Sequence, residues 1–230
     1  MPGVNLTKRP VVDLTKDAGR ALRKIGFGGF QANVEVILDR SGSMQDEYES
    51  GLVQLVLDRV AALSFLLDPD RRLPVTLFHS QAFRAPDLTE MNLDGYVRNQ
   101  LSGFSWGMTQ YAPPLRLALN KLRAPTPAAL PTVAIFVTDG ENSDRRETVS
   151  VVQQLSKQSP VLIKFIGLDT NGNASFPFLE RLDNLKTGVA RDCVDFFRWD
   201  SRVSDEKLYD LIFNEIPEGV SAMKKLGLIT

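Results

Sequence analysis

From residue 33 onward, short runs of β-branched and aromatic residues alternate with longer segments whose apolar residues recur every three or four positions. The first kind of run suits a strand, the second an amphipathic helix. Strands are expected at residues 33–38, 75–79, 82–85, 132–137, 161–167 and 194–198. Helices are expected at 46–67, 94–101, 145–157, 176–185 and 205–214, with one more opened by Pro113-Pro114 and a last one opened by Pro217. A strand that returns through a helix comes back parallel, and helices then cover both faces of the sheet. Ser80-Gln81 leaves room only for a tight reversal, so residues 75–85 should pair antiparallel at a sheet edge. The expected fold is α/β: a doubly wound, mostly parallel six-stranded sheet with one antiparallel edge strand.

The first thirty residues read differently. Val4-Asn5-Leu6-Thr7-Lys8 is echoed by Val12-Asp13-Leu14-Thr15-Lys16, with Arg9-Pro10 between them. Each copy alternates apolar and polar, which predicts a short N-terminal β-hairpin. Residues 17–25 have room for one or two helical turns. Gly26-Phe27-Gly28-Gly29 then precedes a strand instead of opening a helix, so it reads as a connector and not as a phosphate loop. The expected organisation is an arm and linker over residues 1–30 and one domain over 31–230.

A chain of 230 residues with 43% hydrophobic and 24% charged residues can bury one sizeable core. The net charge of −1 gives no reason to expect nucleic acid or an anionic membrane as partner. A lone cysteine, Cys193, excludes an internal disulfide framework and a cysteine-built zinc site. No apolar run approaches the length of a membrane span, and residues 1–10 carry no signal-peptide core. The expected location is the cytoplasm.

Chemistry concentrates at strand ends. The first main strand runs into Asp39-Arg40-Ser41-Gly42-Ser43, and the strand TVAIFV closes with Thr138-Asp139-Gly140. In an open doubly wound sheet, ligands gather beyond the carboxyl ends of strands where the strand order reverses. If these two strands are neighbours, Asp39 and Asp139 share one crevice. Thr109, on the loop before the Pro113-Pro114 helix, can reach it. Asp39, Ser41, Ser43, Thr109 and Asp139 offer only oxygen, which suits Mg²⁺, Mn²⁺ or Ca²⁺ and not a soft metal.

These residues resemble a known family. DRSGS matches the D-x-S-x-S signature of von Willebrand factor A domains, and the threonine of GMTQYAPPL and the aspartate of FVTDGEN match its other two pieces. The resemblance covers about residues 33–214. It implies a Rossmann-like fold and a metal-ion-dependent adhesion site. It also implies Ser41, Ser43 and Thr109 as direct ligands, Asp39 and Asp139 acting mostly through water, and Mg²⁺ as the usual ion. The opening VNLTKRPVVDLTK and the ending FNEIPEGVSAMKKLGLI further resemble bacterial tellurium-resistance stress proteins and their A domains.

The other chemistry-bearing residues read as structural or open. Asp46 is helix-start charge, and Glu141 and Asn142 are solvated. His79 is structural, and Cys193 is inert core. Trp106 and Tyr111 either pack the Thr109 loop or line a docking rim. The leading expectation is a non-enzymatic, metal-dependent protein-interaction module, whose partner supplies an acidic side chain, in a bacterial stress or tellurium-resistance system. The alternatives are a Mg²⁺-dependent phosphate-processing enzyme, with Arg40 as the one basic candidate in the motifs, and a scaffold whose metal is structural. No thiol or histidine set is present for direct tellurite chemistry.

Overall fold

A computed structural model describes residues 8–122, 130–140, 142–169, 174–200 and 202–230. Six strands form one sheet in the order β3-β2-β1-β4-β5-β6. They are β1 (Asn33–Asp39), β2 (Val75–Phe78), β3 (Ala82–Arg84), β4 (Thr132–Thr138), β5 (Val161–Leu168) and β6 (Val194–Trp199). All neighbouring pairs are parallel except β2 with β3, the edge hairpin turned at Ser80. The mixed doubly wound sheet read from the alternation is therefore the sheet observed.

The helices are α1 (Val11–Lys24), α2 (Gln45–Glu49), α3 (Leu52–Leu67), α4 (Ala112–Leu122), α5 (Arg145–Gln158), α6 (Pro177–Asp183), α7 (Asp205–Phe213) and α8 (Ile216–Lys225). Strand residues alternate between two cores, as a pleated sheet covered on both faces requires. Val34, Val36 and Leu38 point to a core shared with α1, α3, α7 and α8. Ile37, Ala134 and Phe136 point to the opposite core, shared with α4, α5 and α6. In that second core, Phe136 stacks between Phe78 and Phe165 at centroid distances of 4.7 and 4.5 Å.

Three expectations are corrected. Residues 11–24 are a helix, so the hairpin is not formed there; residues 4–7 of its first half lie outside the described residues. Leu14, Ala18, Ala21 and Leu22 bury one helical stripe, while Val12, which a period of two would place beside Leu14, is 61% exposed. Second, residues 46–67 are not one helix. Gly51 adopts φ 83°, a left-handed conformation that ends α2 and starts α3, and the two segments meet at 78°. Among the described residues no single helix is long and apolar enough to cross a membrane. Third, residues 94–101 contribute only a single wide turn over Val97–Leu101.

α1 is fastened by charge as well as by its apolar stripe. Arg9 Nη1 lies 2.7 Å from Asp17 Oδ2 and 2.5 Å from Asp205 Oδ2, and Arg59 Nε of α3 donates to Asp205 Oδ1 at 2.6 Å. On the same face, farther across the sheet, buried Lys164 of β5 donates to Asp195 of β6 at 2.6 Å and to the Asn214 carbonyl at the α7–α8 junction. Arg59 and Lys164 thus each have a carboxylate partner, without which desolvation would be costly.

Candidate metal centre

β1 leads through α2 and α3 to β2 on one side, while β4 lies on its other side, so the strand order reverses between β1 and β4. Leu38 pairs with Val137, which brings the two strand-end aspartates to one crevice. Asp39 is fully buried. Its Oδ1 accepts from the Ser41 backbone N–H at 2.7 Å, and its Oδ2 accepts from the Thr138 hydroxyl at 2.6 Å. The first bond is a tight turn closed by an aspartate side chain on its own backbone, which carries Ser41 and Ser43 around to the front of the crevice. There the Ser41 and Ser43 hydroxyls lie 3.1 Å apart, and Ser43 Oγ donates to Asp139 Oδ1 at 3.0 Å. Tyr48 of α2 donates to the Asp39 carbonyl at 3.0 Å and pins the turn from below.

Thr109 is delivered by a loop that lies along this turn. Gly42 N–H donates to the Gly107 carbonyl at 3.0 Å, and Gly107 N–H donates to the Arg40 carbonyl at 3.3 Å. Gly107 runs so close to His79 that an added Cβ would sit 2.7 Å from its ring. From the other side, Ser143 donates to the Thr109 carbonyl through both its backbone N–H, at 3.0 Å, and its hydroxyl, at 3.1 Å. The side chains of Ser41, Ser43 and Asp139 therefore form a continuous chain with Asp39 behind them, and Thr109 is set beside them through its backbone.

The flanking residues resolve the open readings. Arg40 is only 5% exposed; its guanidinium lies 3.5 Å over the Trp106 ring and 4.5 Å over Tyr48, and it donates to the Phe104 carbonyl at 3.2 Å. It is spent on fastening the loop and does not face the crevice as a phosphate ligand would require. Trp106 is partly buried and packs the loop through Tyr48 and Arg40. Tyr111 is buried, and its hydroxyl donates to the Gly140 carbonyl beside Thr138. Asn142 is not solvated: it is buried and donates to Asp144 Oδ1 at 2.7 Å and Thr148 Oγ1 at 2.9 Å. Glu141 lies outside the described residues. His79 sits under the Thr109 loop, accepting the Gln110 N–H on its carbonyl. Cys193 is buried, and desolvation pushes its thiol up to about 11, so it is unreactive.

Two residues escape a reading from the sequence. Thr138 holds the back of Asp39. It is the last residue of a buried strand, where a hydroxyl before a strand-end aspartate is the only signal. Asp144 looks like a cap for α5, the helix it precedes. Its carboxylate instead crosses to α4 and accepts the N–H groups of Tyr111 at 3.0 Å and Ala112 at 2.8 Å.

The electrostatics favour a cation. Desolvation raises Asp39 to about 7 against the hydrogen bonds that favour its charged form, and the neighbouring charge of Asp139 adds to the rise. Asp139 is raised for the same reason, burial. A buried and a half-buried carboxylate with a row of hydroxyls form a site that gains from a hard positive charge. Among the described residues no group of three or more histidines, cysteines or acidic residues is placed to hold a metal, so the donors of this crevice are hydroxyls together with two carboxylates.

Comparison with known proteins agrees with the fold. The protein is 28% identical over 225 residues to the uncharacterized protein YcbR of Bacillus subtilis (strain 168), covering 95% of this chain and 90% of that one. The VWA domain of SpRpn10 superposes with a TM-score of 0.52 at 10% identity, over 83% of this chain and 97% of that one. Proximal thread matrix protein 1 from the mussel byssus, solved with a zinc-occupied MIDAS motif, superposes with a TM-score of 0.50 at 16% identity, over 84% of this chain and 46% of that one. At such identities the two structures speak for the fold. Residues 31–229 match the family model described as vWA-TerF-like, the vWA found in the TerF C terminus, and the chain belongs to that family.

Proposed function

We propose that this protein is a divalent-metal-dependent protein-interaction module. The Ser41, Ser43 and Thr109 hydroxyls would hold the cation, with Asp39 and Asp139 behind them contributing charge and orienting water. When bound, the cation supplies a positive charge with a coordination position left for an acidic side chain of a partner protein. The observation that carries this reading is the chain Ser41–Ser43–Asp139 at the β1/β4 switch point, backed by a buried Asp39. Mg²⁺ is the favoured ion, with Mn²⁺ and Ca²⁺ as substitutes, because the donors are hard oxygens.

The reading of an interaction module rather than an enzyme is supported by the family, and by Arg40, which is engaged in stacking instead of facing the crevice. Match to the TerF-type family supports a bacterial stress or tellurium-resistance setting. A cytoplasmic location suits a protein whose single cysteine is a free thiol.

The test uses the full chain and a native bacterial extract. Partner retention is expected with Mg²⁺, and is expected to vanish with EDTA or in the Asp39→Ala and Thr109→Ala variants. Retention unchanged by EDTA and by both substitutions would overturn the proposal. A rise in Tm on adding Mg²⁺, absent in Asp39→Ala, reports cation binding independently of any partner.

A further inference from the structure

The segment 142–144 does more than link Asp139 to α5. Ser143 binds the Thr109 carbonyl twice, and Asp144 accepts the N–H groups of Tyr111 and Ala112, two and three residues after Thr109. Asn142 and Thr148 both donate to Asp144 Oδ1, so the carboxylate is itself held in place. A carboxylate at a helix N-terminus is favourable on its own account, yet a local cap would come from the residue just before the helix. Here the cap arrives from a different loop, the one carrying Asp139.

The consequence is geometric. Thr109 stands two residues before Tyr111, on the start of α4, and Asp139 stands five residues before Asp144. The cross-loop cap ties these two pieces of the crevice to each other, while Gly107 ties the same loop to the Asp39 turn. We propose that Asp144 is a positioning residue of the metal centre, setting Thr109 relative to Asp139 without touching the cation. This rests on the metal reading given above. Residues that orient metal ligands from behind commonly change affinity by about 10–100-fold when removed.

The test is a double-substitution cycle read by Mn²⁺ affinity, measured on the full chain by titration calorimetry, with Tm in EDTA recorded for each variant. Asp144→Ala is expected to weaken Mn²⁺ binding about 10-fold or more. In a Thr109→Ala background the same change is expected to cost little, because the ligand that Asp144 positions is gone. Equal losses in both backgrounds, or wild-type affinity in Asp144→Ala, would overturn the inference. Should Asp144→Ala fail to fold in EDTA, Asp144→Asn, which keeps one acceptor oxygen, takes its place in the cycle with the same outcomes. Failure of the metal reading has a separate signature: no Mn²⁺ binding by the wild type, or binding unaffected by Thr109→Ala. Either result overturns that reading and this inference with it.

Discussion

Asp39 is an acid held where acids ionise poorly, and its proton balance can be followed. Unfolded, it ionises near pH 4; folded without metal, desolvation moves it to about 7. Between those values the folded chain keeps a proton that the unfolded chain has released. Stability of the metal-free protein therefore falls as pH rises through this window and levels off above it. Three pH units correspond to roughly 4 kcal/mol for so buried a group. Asp139 shifts in the same direction and adds to the slope. In EDTA, Tm is expected to be higher at pH 5.5 than at pH 8. Asp39→Asn is expected to flatten that slope while abolishing Mn²⁺ binding, since the amide keeps the acceptor for Ser41 N–H and loses the charge. A wild-type Tm that does not fall with pH would show that Asp39 is not desolvated in solution.

At the scale of elements, the backbone geometry of two glycines governs the crevice. Gly51 at φ 83° lets α2 and α3 diverge by 78°, which places Tyr48 under Asp39. Gly51→Ala is expected to cost about 1 kcal/mol in denaturant unfolding, from the left-handed conformation alone. Gly107 matters by space instead of angle. Gly107→Ala would drive a methyl into His79, lifting the Thr109 loop. Mn²⁺ affinity is expected to fall about 10-fold, and His79→Ala in the same chain to restore most of it by making room. The strands and most helices were legible because their periodicity extends over many residues. Residues 11–16 were not, because five-residue copies such as VDLTK cannot separate a period of two from 3.6; only the longer run Leu14, Ala18, Ala21, Leu22, which continues into the helical turns expected over 17–25, does so. That Asp39, Ser41, Ser43 and Asp139 meet in one crevice was legible from their places at two strand ends. Thr138 and Asp144 were not, because their roles depend on which loop the fold lays beside them.

For the molecule as a whole, α1 lies before residue 31, where the family match begins, yet it shares the core of α3 and α7. Leu14→Ala is expected to cost about 2–5 kcal/mol, the usual range for emptying a fully buried leucine site. Asp205 joins Arg9, ahead of the family match, to Arg59 within it. Asp205→Ala is expected to cost about 3–5 kcal/mol, because Arg59 would stay buried without its carboxylate. Urea unfolding of both variants checks these values; near-wild-type stability for both would mean that α1 is a loosely attached arm.

The cluster of Arg40, Tyr48 and Trp106 gives the molecule an optical gauge. The chain has two tryptophans. Trp199 is sealed in the core at 2% exposure, whereas Trp106 rides the loop that carries Thr109 and leans on a cation and a tyrosine from the opposite wall. Any event that shifts the loop against that wall alters the surroundings of one indole and leaves the other as an internal reference.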